Sequence, residues 1–361
     1  MSSGSRWIPI KLVAMVMAIG LVSAACGGGA IAPSASSTAG AGASAAPGAL
    51  PKPELTTLRI GLSAPSEPAQ YAEELALQLG LYQKYGLQVE VTGFEGDAKA
   101  LQALVAGKLD MYVAGSSSTI NTVITDTPLK LISMNGIYIS DGFFCGKDIK
   151  TAADVKGKIV AVSTFGGTSH GSVLLSLKQL GLKPTDVTIR EVGGESSRLA
   201  ALRSGAIACA PLEIIRQKEL APLGFNVLVD IQKAKLQWGR SGLAARADWL
   251  QKYPNTALVV AAAVLEANNS MWTDPETAAK KFTEFTQSKP EDALLRIKDW
   301  TTIGSRSMTF TEEAFIAPRD VLATVNPAVA NVDVKKAFDI SFLNKLKDIG
   351  FYAKIGAPTS D

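Results

Sequence analysis

Short apolar segments typical of strands alternate with segments of helical spacing along the first part of the chain. The predicted strands of this series cover residues 58–63, 87–91, 110–114 and 129–134. Helices are predicted between them at 70–84, 98–106 and 116–124, with leucines such as Leu101 and Leu104 on one helical face. Strands that alternate with helices predict a parallel sheet with helices on both of its faces.

The same alternation restarts near residue 155, and a purely helical pattern follows it. The second series predicts strands at 158–163, 187–192, 206–211 and 225–230. From Arg246 onward only helical patterns occur, with Pro254, Pro275, Pro290, Pro318 and Pro327 near helix starts or in turns. The chain is therefore predicted to form two α/β lobes, one from residues 56–140 plus 246–361 and the other from 141–245. Crossings between them are expected near 136–143 and 240–245.

The N-terminus has the pattern of a secretory signal. Arg6 and Lys11 flank the start of an apolar run, residues 12–22, which ends at Ser23-Ala24-Ala25-Cys26. The run is shorter than the roughly 20 apolar residues that a membrane span needs. We therefore predict a signal peptide at 1–25. An uncleaved anchor helix is the alternative.

Cys26 directly follows the small residues and resembles the lipidated cysteine of a bacterial lipobox. Such a cysteine receives a diacylglycerol and becomes the new N-terminus, although the usual motif has Leu where this chain has Ser23. A plain signal with an unmodified Cys26 is the alternative. Residues 30–53 are almost entirely Ala, Gly, Ser, Thr and Pro, a composition that predicts a flexible linker over 26–55. The protein is thus expected to be extracytoplasmic and lipid-anchored to the cell membrane.

Charge and rare residue types narrow the function classes. A net charge of +3 gives no argument for nucleic acid binding. Cys145 and Cys209 could form a disulfide in an exported protein, but their apolar contexts favour buried free cysteines. His170 is the one histidine, and neither it nor the cysteines have partners at metal-ligand spacing. No metal site and no cofactor are predicted.

Four segments together resemble a known family of transport proteins. These segments cover residues 80–90 (GLYQKYGLQVE), 107–118, 154–162 and 198–207. They are similar, in order, to nitrate/sulfonate/taurine-type substrate-binding proteins of ABC importers, over about residues 57–351. The resemblance implies a two-lobed α/β fold, the periplasmic-binding-protein type II or "Venus flytrap" fold, with a helical C-terminal region.

The resemblance also implies a non-enzymatic, monomeric receptor. Its ligand would be an organosulfonate, taurine or a similar small polar or oxyanionic molecule, and its partners an ABC permease and ATPase subunits. Two alternatives remain open from the sequence. The ligand could be a thiamine-precursor pyrimidine or another aromatic heterocycle, or the chain could be a sensor domain that presents its ligand to a signalling partner.

Two loops rich in Ser and Gly are the main candidate site. Residues 115–118 and 166–169 each join a strand to a helix, one loop in each predicted lobe. Free N–H groups and the helix dipole at such junctions favour polar or anionic groups, although plain helix capping is the alternative. The predicted ligand-binding residues are Ser63, Glu67, Gln70, Tyr71, Gly115, Ser116, Ser117, Gly167, Thr168, Ser169, Glu213 and Trp238.

Some of these residues have an ordinary structural interpretation as well. Tyr71 and Trp238 could be packing residues, and Glu213 could be a solvated helix start. If Glu213 lines the cleft, a ligand with an amine or N–H donor fits better than a sulfonate. Residues 167–171 match the G-x-S-x-G motif of hydrolases, but a catalytic triad needs a histidine from elsewhere in the chain. We therefore predict that the protein is not an enzyme.

Overall fold

The computed structural model of the chain describes residues 46–234 and 237–361. The predicted signal peptide, Cys26 and the linker up to residue 45 lie outside the described residues. Among the helices of the two described ranges, none combines the length and the hydropathy that crossing a bilayer requires.

The strands of the described residues belong to two sheets. In chain order they are β1 (Thr57–Leu62), β2 (Gln88–Gly93), β3 (Met111–Ala114), β4 (Leu129–Leu131), β5 (Gly136–Tyr138), β6 (Asp141–Cys145), β7 (Ile159–Val162), β8 (Thr188–Glu191), β9 (Cys209–Glu213), β10 (Asn226–Asp230) and β11 (Gln237–Arg246). The first sheet has the order β2-β1-β3-β11-β4, with β5 paired to β11, and the second has the order β10-β6-β9-β7-β8.

Each sheet is mixed rather than parallel throughout. In the first sheet β1 is parallel to β2 and β3, but β11 is antiparallel to β3 and β4. In the second sheet β7 is parallel to β8 and β9, whereas β6 is antiparallel to β9 and β10. The prediction of parallel sheets was therefore wrong for β6 and β11. These strands lie where the sequence predicted only crossings between the lobes, and there the chain passes from one sheet to the other.

The helices surround both sheets. In chain order they are α1 (Ala72–Gln78), α2 (Leu81–Lys84), α3 (Asp97–Val105), α4 (Ser116–Val123), α5 (Ala152–Val155), α6 (Thr168–Gln179), α7 (Glu195–Arg203), α8 (Gln217–Leu220), α9 (Ala247–Lys252), α10 (Pro254–Thr273), α11 (Pro275–Thr286), α12 (Pro290–Trp300), α13 (Glu313–Ala323), α14 (Ser341–Asp348) and α15 (Phe351–Ile355). The predicted helix at 70–84 is divided at Gly80, whose φ of 68° ends one helix and starts the next. Pro318 lies inside α13, not at a helix start.

Strand β11 returns the chain to the first lobe. The sequence assigned residues up to 245 to the second lobe, yet Gly242 to Arg246 pair with β3 and β4 of the first sheet. Residues 238–245 are all buried. The prediction missed this strand because glycine, serine and a buried arginine interrupt any strand-like alternation. The two-lobed α/β class with a helical C-terminal region is confirmed.

The two cysteines of the second lobe are bonded to each other. Cys145 on β6 and Cys209 on β9 are direct cross-strand partners, and they form a disulfide. The expectation of buried free cysteines was therefore wrong. The reason is strand register: 64 positions separate the two residues along the chain, and only the pairing of β6 with β9 brings them together.

Residues 46–55 lie against the first lobe rather than in a free linker. The Glu54 carboxylate accepts hydrogen bonds from the backbone N–H groups of Asn255 (2.9 Å) and Thr256 (2.6 Å), at the start of α10. Although burial raises the pKa of Glu54, these hydrogen bonds hold it below its usual value. The prediction of a linker up to residue 55 was therefore too long, because one carboxylate placed at a helix N-terminus ties this segment down.

Candidate functional site

A small polar cavity lies where side chains of the two lobes meet. Its volume is about 40 Å³, room for roughly three water-sized groups. Its walls are formed by Ser63, Ala64, Glu67, Gln70, Asp97, Asp141, Ser163, Thr168, Ser169, Gly194, Arg198 and Arg240. Both lobes contribute, and most of these residues follow the ends of strands. Ligands of open α/β sheets bind in this position.

A hydrogen-bonded pair shapes the first-lobe wall. Ser63 follows β1 and donates its hydroxyl to the carbonyl oxygen of Val113, 3.0 Å away. Gln70 donates to the Ser63 hydroxyl at 3.0 Å and accepts from the N–H of Ala64 at 2.8 Å. These contacts fix the loop after β1, so that Ser63 and Gln70 face the cavity in one arrangement.

Arg240 joins carboxylates from several elements. Its guanidinium donates to Asp141 at 2.6 Å and to Glu67 at 2.8 Å, and lies 3.8 Å from Glu213. The side chain is only 5 % exposed, so these charge-assisted bonds form away from bulk water. Ser172 donates to the second oxygen of Asp141 at 2.6 Å. Each terminal nitrogen of Arg240 therefore already donates to a carboxylate.

The carboxylates around the cavity have opposite pKa shifts. Burial raises the pKa of Glu67 to about 7, against the lowering effect of Arg240 and with the help of neighbouring carboxylates. Burial would also raise the pKa of Glu195, but the nearby arginines, Arg216 first, lower it to about 2. Glu195 accepts from the side chain of Arg216 at 2.9 Å and from the N–H of Glu213 at 3.1 Å. One carboxylate is thus firmly ionised, while the other titrates near neutral pH.

Two carboxylates of the first lobe, one in the loop before α3 and one at the start of α3, reach helix N-termini of the second lobe. Glu95 accepts from the N–H of Gly194 at 3.0 Å, directly before α7. Asp97 lies beside Gly167, where an added Cβ would stand 2.5 Å from its carboxylate oxygen, directly before α6. Burial raises the pKa of Asp97, opposed by the nearby hydroxyls of Ser63 and Ser118. The chain's own carboxylates therefore hold positions that suit an anion.

The second Ser/Gly loop faces the cavity. Thr168 and Ser169 line it at the start of α6. The Ser169 hydroxyl accepts from the N–H of Ser163 at 2.8 Å, and the Thr168 hydroxyl donates to the carbonyl oxygen of Arg240 at 3.4 Å. His170 accepts from the N–H of Gly166 at 3.0 Å through Nδ1, and burial lowers its pKa. The histidine thus serves the loop backbone rather than the serine beside it.

The first Ser/Gly loop does not line this cavity. Ser116 donates to the carbonyl oxygen of Gly239 at 3.0 Å, and Ser117 is fully buried. Gly115 abuts the second lobe, because an added Cβ would lie 2.3 Å from the Thr168 hydroxyl and 3.0 Å from the carbonyl oxygen of Arg240. Gly115 and Ser116 thus pack against β11 and the second lobe, while the Ser118 hydroxyl lies near the carboxylate of Asp97.

Four other predicted residues are not part of the cavity wall: Gly167, Tyr71, Glu213 and Trp238. Tyr71 is buried in the first-lobe core, with its ring 4.8 Å from that of Phe282. Trp238 is fully buried beside Gly171 in the second-lobe core. Glu213 is buried in an ion pair with Arg296, so it is not a solvated helix start. Burial raises the pKa of Glu213, and Arg296 opposes this shift.

The predicted ligand-binding residues did not include four that line the cavity, namely Asp97, Asp141, Ser163 and Gly194. Ala64 lies within the loop 63–70, which the sequence indicated as a candidate wall. From the sequence, Arg198 and Arg240 could reach the cleft, but nothing in it assigned them there, because the partners of Arg240 are 99 and 173 positions away. Gly194 could have been found, because Gly193-Gly194 precedes α7 as the Ser/Gly loops precede α4 and α6. Within 46–234 and 237–361 no group of three or more His, Cys, Asp or Glu residues could hold a metal ion.

Known proteins are similar to this chain in sequence or in fold. The taurine-binding periplasmic protein of Escherichia coli is 24 % identical over 235 residues, which cover 63 % of this chain and 70 % of that protein. The alkanesulfonate-binding protein of Xanthomonas axonopodis pv. citri, solved with MOPS, matches with a TM-score of 0.64 and 18 % identity, over 80 % of this chain and 98 % of that one.

A nitrate-binding protein has a similar fold as well. The periplasmic nitrate-binding protein of Synechocystis PCC 6803 has a TM-score of 0.66 and 18 % identity, over 86 % of this chain and 93 % of that one. The resemblance to nitrate/sulfonate/taurine-type substrate-binding proteins is thereby confirmed. The model of the NMT1-like family matches residues 51–285. The chain therefore belongs to the NMT1-like family.

Proposed function

We propose that this protein is an extracytoplasmic solute-binding protein that captures a small polar ligand of the sulfonate, taurine or nitrate class and delivers it to an ABC importer. The observation that carries the proposal is the cavity at the junction of the lobes, walled by Ser63, Gln70 and Asp97 from the first lobe and Thr168 and Arg198 from the second. The similarity to taurine- and sulfonate-binding proteins supports the ligand class.

Binding in such a cavity is coupled to closure of the lobes. A ligand that contacts both walls binds the closed form more tightly than the open form, so it shifts the population toward closure. The second loop supplies hydroxyls for this contact, and Gly115 lets the lobes approach without a side chain between them. The closed outline is then the surface that a permease recognises.

A bulky aromatic heterocycle has less support as the ligand. With a volume of about 40 Å³ the cavity is small, so a compact ligand fits with less rearrangement of the walls than a bulky ring. The aromatic residues among the predicted ligand-binding residues, Tyr71 and Trp238, pack in the cores of the lobes. The polar walls instead suit a compact, hydrogen-bonding molecule.

The binding proposal is tested by a thermal-shift panel on the purified full-length protein. The probes are taurine, ethanesulfonate, nitrate and thiamine, each over a concentration series. A ligand of the folded state raises stability by about 2.7 kcal/mol at a hundredfold excess over Kd. A saturable shift with taurine, ethanesulfonate or nitrate supports the proposal, and a shift with thiamine alone moves the ligand class to the heterocycles. No shift with any probe contradicts it.

We further propose that Cys26 carries a lipid anchor. The sequence around it supports this, since a signal pattern and small residues precede the cysteine. The test compares the full chain with Cys26→Ser in a bacterial host fed labelled fatty acid. Label and membrane association should disappear in the variant. Equal membrane association of both chains would contradict the anchor.

A further inference from the structure

The charges on the cavity wall point to a ligand more specific than a simple oxyanion. We propose that the ligand carries a protonated amine, which Asp97 binds together with Glu67, and that the protein selects small zwitterions or ammonium compounds over plain oxyanions. This inference rests on the proposed function and narrows its ligand class. Three carboxylates line the cavity (Glu67, Asp97 and Asp141) against two guanidinium groups (Arg198 and Arg240).

The two arginines of the wall have different partners. The terminal nitrogens of Arg240 already donate to Asp141 and Glu67. Arg198 donates to two neutral backbone oxygens, those of Pro211 at 3.1 Å and Gly193 at 2.9 Å, so its charge has no carboxylate partner among the described residues. A nitrate or alkanesulfonate beside Arg198 would leave Asp97 without a cation, whereas a zwitterion would pair with both groups, and an unpaired buried charge is strongly unfavourable.

The helix N-termini that could bind an oxyanion already face carboxylates of the chain itself. Glu95 holds the start of α7 and Asp97 lies at the start of α6. These are the positions where backbone N–H groups would otherwise bind an oxyanion. An oxyanion would have to displace the chain's own carboxylates, whereas an ammonium group would be drawn to them.

Asp97 is the carboxylate best placed for this role. It lines the cavity, and within the described residues no cation lies at salt-bridge distance from it. An ammonium group offers three N–H donors and forms its strongest hydrogen bonds with carboxylates. Glu67 and Asp141 contact different terminal nitrogens of Arg240, and Glu67 supplies a second acceptor for the ammonium group.

The cavity wall also contains hydrogen-bond donors for an acceptor group on the ligand. Arg198 lines the cavity and forms no salt bridge with a carboxylate among the described residues. The hydroxyls of Thr168 and Ser169 also lie on the wall. An oxygen atom joined by a short spacer to the amine would accept from the Arg198 guanidinium. The preferred ligand is therefore a compact zwitterion.

Matched ligand pairs test the amine directly. Calorimetric titrations of the purified full-length protein compare taurine with ethanesulfonate and glycine with acetate, pairs that differ by the amine. In the pair that binds, we expect the amine-bearing member to bind at least 100-fold more tightly. Equal or tighter binding of ethanesulfonate or acetate would overturn the inference while leaving the proposed function intact. If no member of either pair binds, the inference fails, and the thermal-shift panel, which includes nitrate, decides the proposed function separately.

The variant Asp97→Asn tests whether this residue causes the preference for an amine. Asp97→Asn should reduce the preference for the amine-bearing member at least tenfold, whereas Asp148→Asn, an exposed carboxylate of the second lobe, should leave it unchanged. Melting curves of the unliganded variants show whether they fold. If Asp97→Asn does not fold, the comparison of the two ligand pairs on the wild-type protein still tests the inference. An unchanged preference in folded Asp97→Asn would contradict the role of this residue.

Discussion

The two Ser/Gly loops have nearly the same sequence pattern but different surroundings. Both precede a helix after a strand, at 115–118 and at 166–169. The second loop presents Thr168 and Ser169 to the cavity, while the first sends the Ser116 hydroxyl to the backbone of β11. The pattern predicts a helix N-terminus in both places, and the element opposite each loop decides whether that terminus faces a cavity or a strand.

A change at the base of the second loop should have the largest effect. A Cβ on Gly171 would lie 2.2 Å from the ring of Trp238, which is fully buried. We expect Gly171→Ala to lower the free energy of unfolding by about 3 kcal/mol, since overpacking a rigid core is costly. Urea unfolding measures this. Gly146→Ala, where the nearest atom is 3.8 Å away, should change little. A stable Gly171→Ala would show that the second loop tolerates movement.

The carboxylates near the two walls should respond differently to pH. The folded-state pKa of Glu67 is raised to about 7, so its contribution to stability is fully present below about pH 4.5 and is lost as the pH rises through 7. The pKa of Glu195 is lowered to about 2, so its contribution is present above about pH 4.5 and is lost as the pH falls through 2. Glu67→Gln should therefore remove up to about 3 kcal/mol of stability change between pH 4.5 and 7.

Melting temperatures across this pH range measure the effect. Glu90→Gln, an exposed carboxylate on β2, serves as the control and should keep the wild-type profile. If Glu67→Gln also keeps that profile, Glu67 does not titrate in this range, and the difference between the two walls is smaller than the structure indicates.

A methyl group on the first loop should interfere with closure. A Cβ on Gly115 would lie 2.3 Å from the Thr168 hydroxyl and 3.0 Å from a backbone oxygen of Arg240. We expect Gly115→Ala to weaken ligand binding about 10- to 100-fold, corresponding to 1–3 kcal/mol of steric cost. Calorimetry gives the affinity, and X-ray scattering shows whether the variant stays more open than Gly146→Ala. Unchanged affinity would mean that closure does not bring these loops together.

Removal of one hydroxyl from each loop should change ligand affinity in the second loop and stability in the first. Thr168→Val removes a hydroxyl from the cavity wall and should weaken binding about fivefold, close to 1 kcal/mol. Ser116→Ala removes a buried hydrogen bond to Gly239 and should cost about 1 kcal/mol of stability without changing affinity. Calorimetry and urea unfolding on both variants test the separation. The reverse result would exchange the roles of the loops.

The sequence by itself determined the alternation of strands and helices, the helical C-terminal region and the family resemblance. It also predicted Ser63, Glu67 and Gln70 after β1 and Thr168 and Ser169 at the start of α6, and in the structure these residues line one cavity. These predictions depend on periodicity and on residues next to element ends. Both are local properties, and a local pattern of apolar and polar positions contains them.

Only the tertiary structure decided which distant groups meet. Arg240 reaches Glu67 across 173 positions, and Cys145 meets Cys209 across 64. Asp97 and Glu95 reach the second lobe only because the two lobes face each other. Strand register and the approach of the lobes fix such contacts, and both arise from the burial of whole elements rather than from the residues beside each group. The charge balance of the cavity, and with it the expected ligand, was therefore decided by the fold.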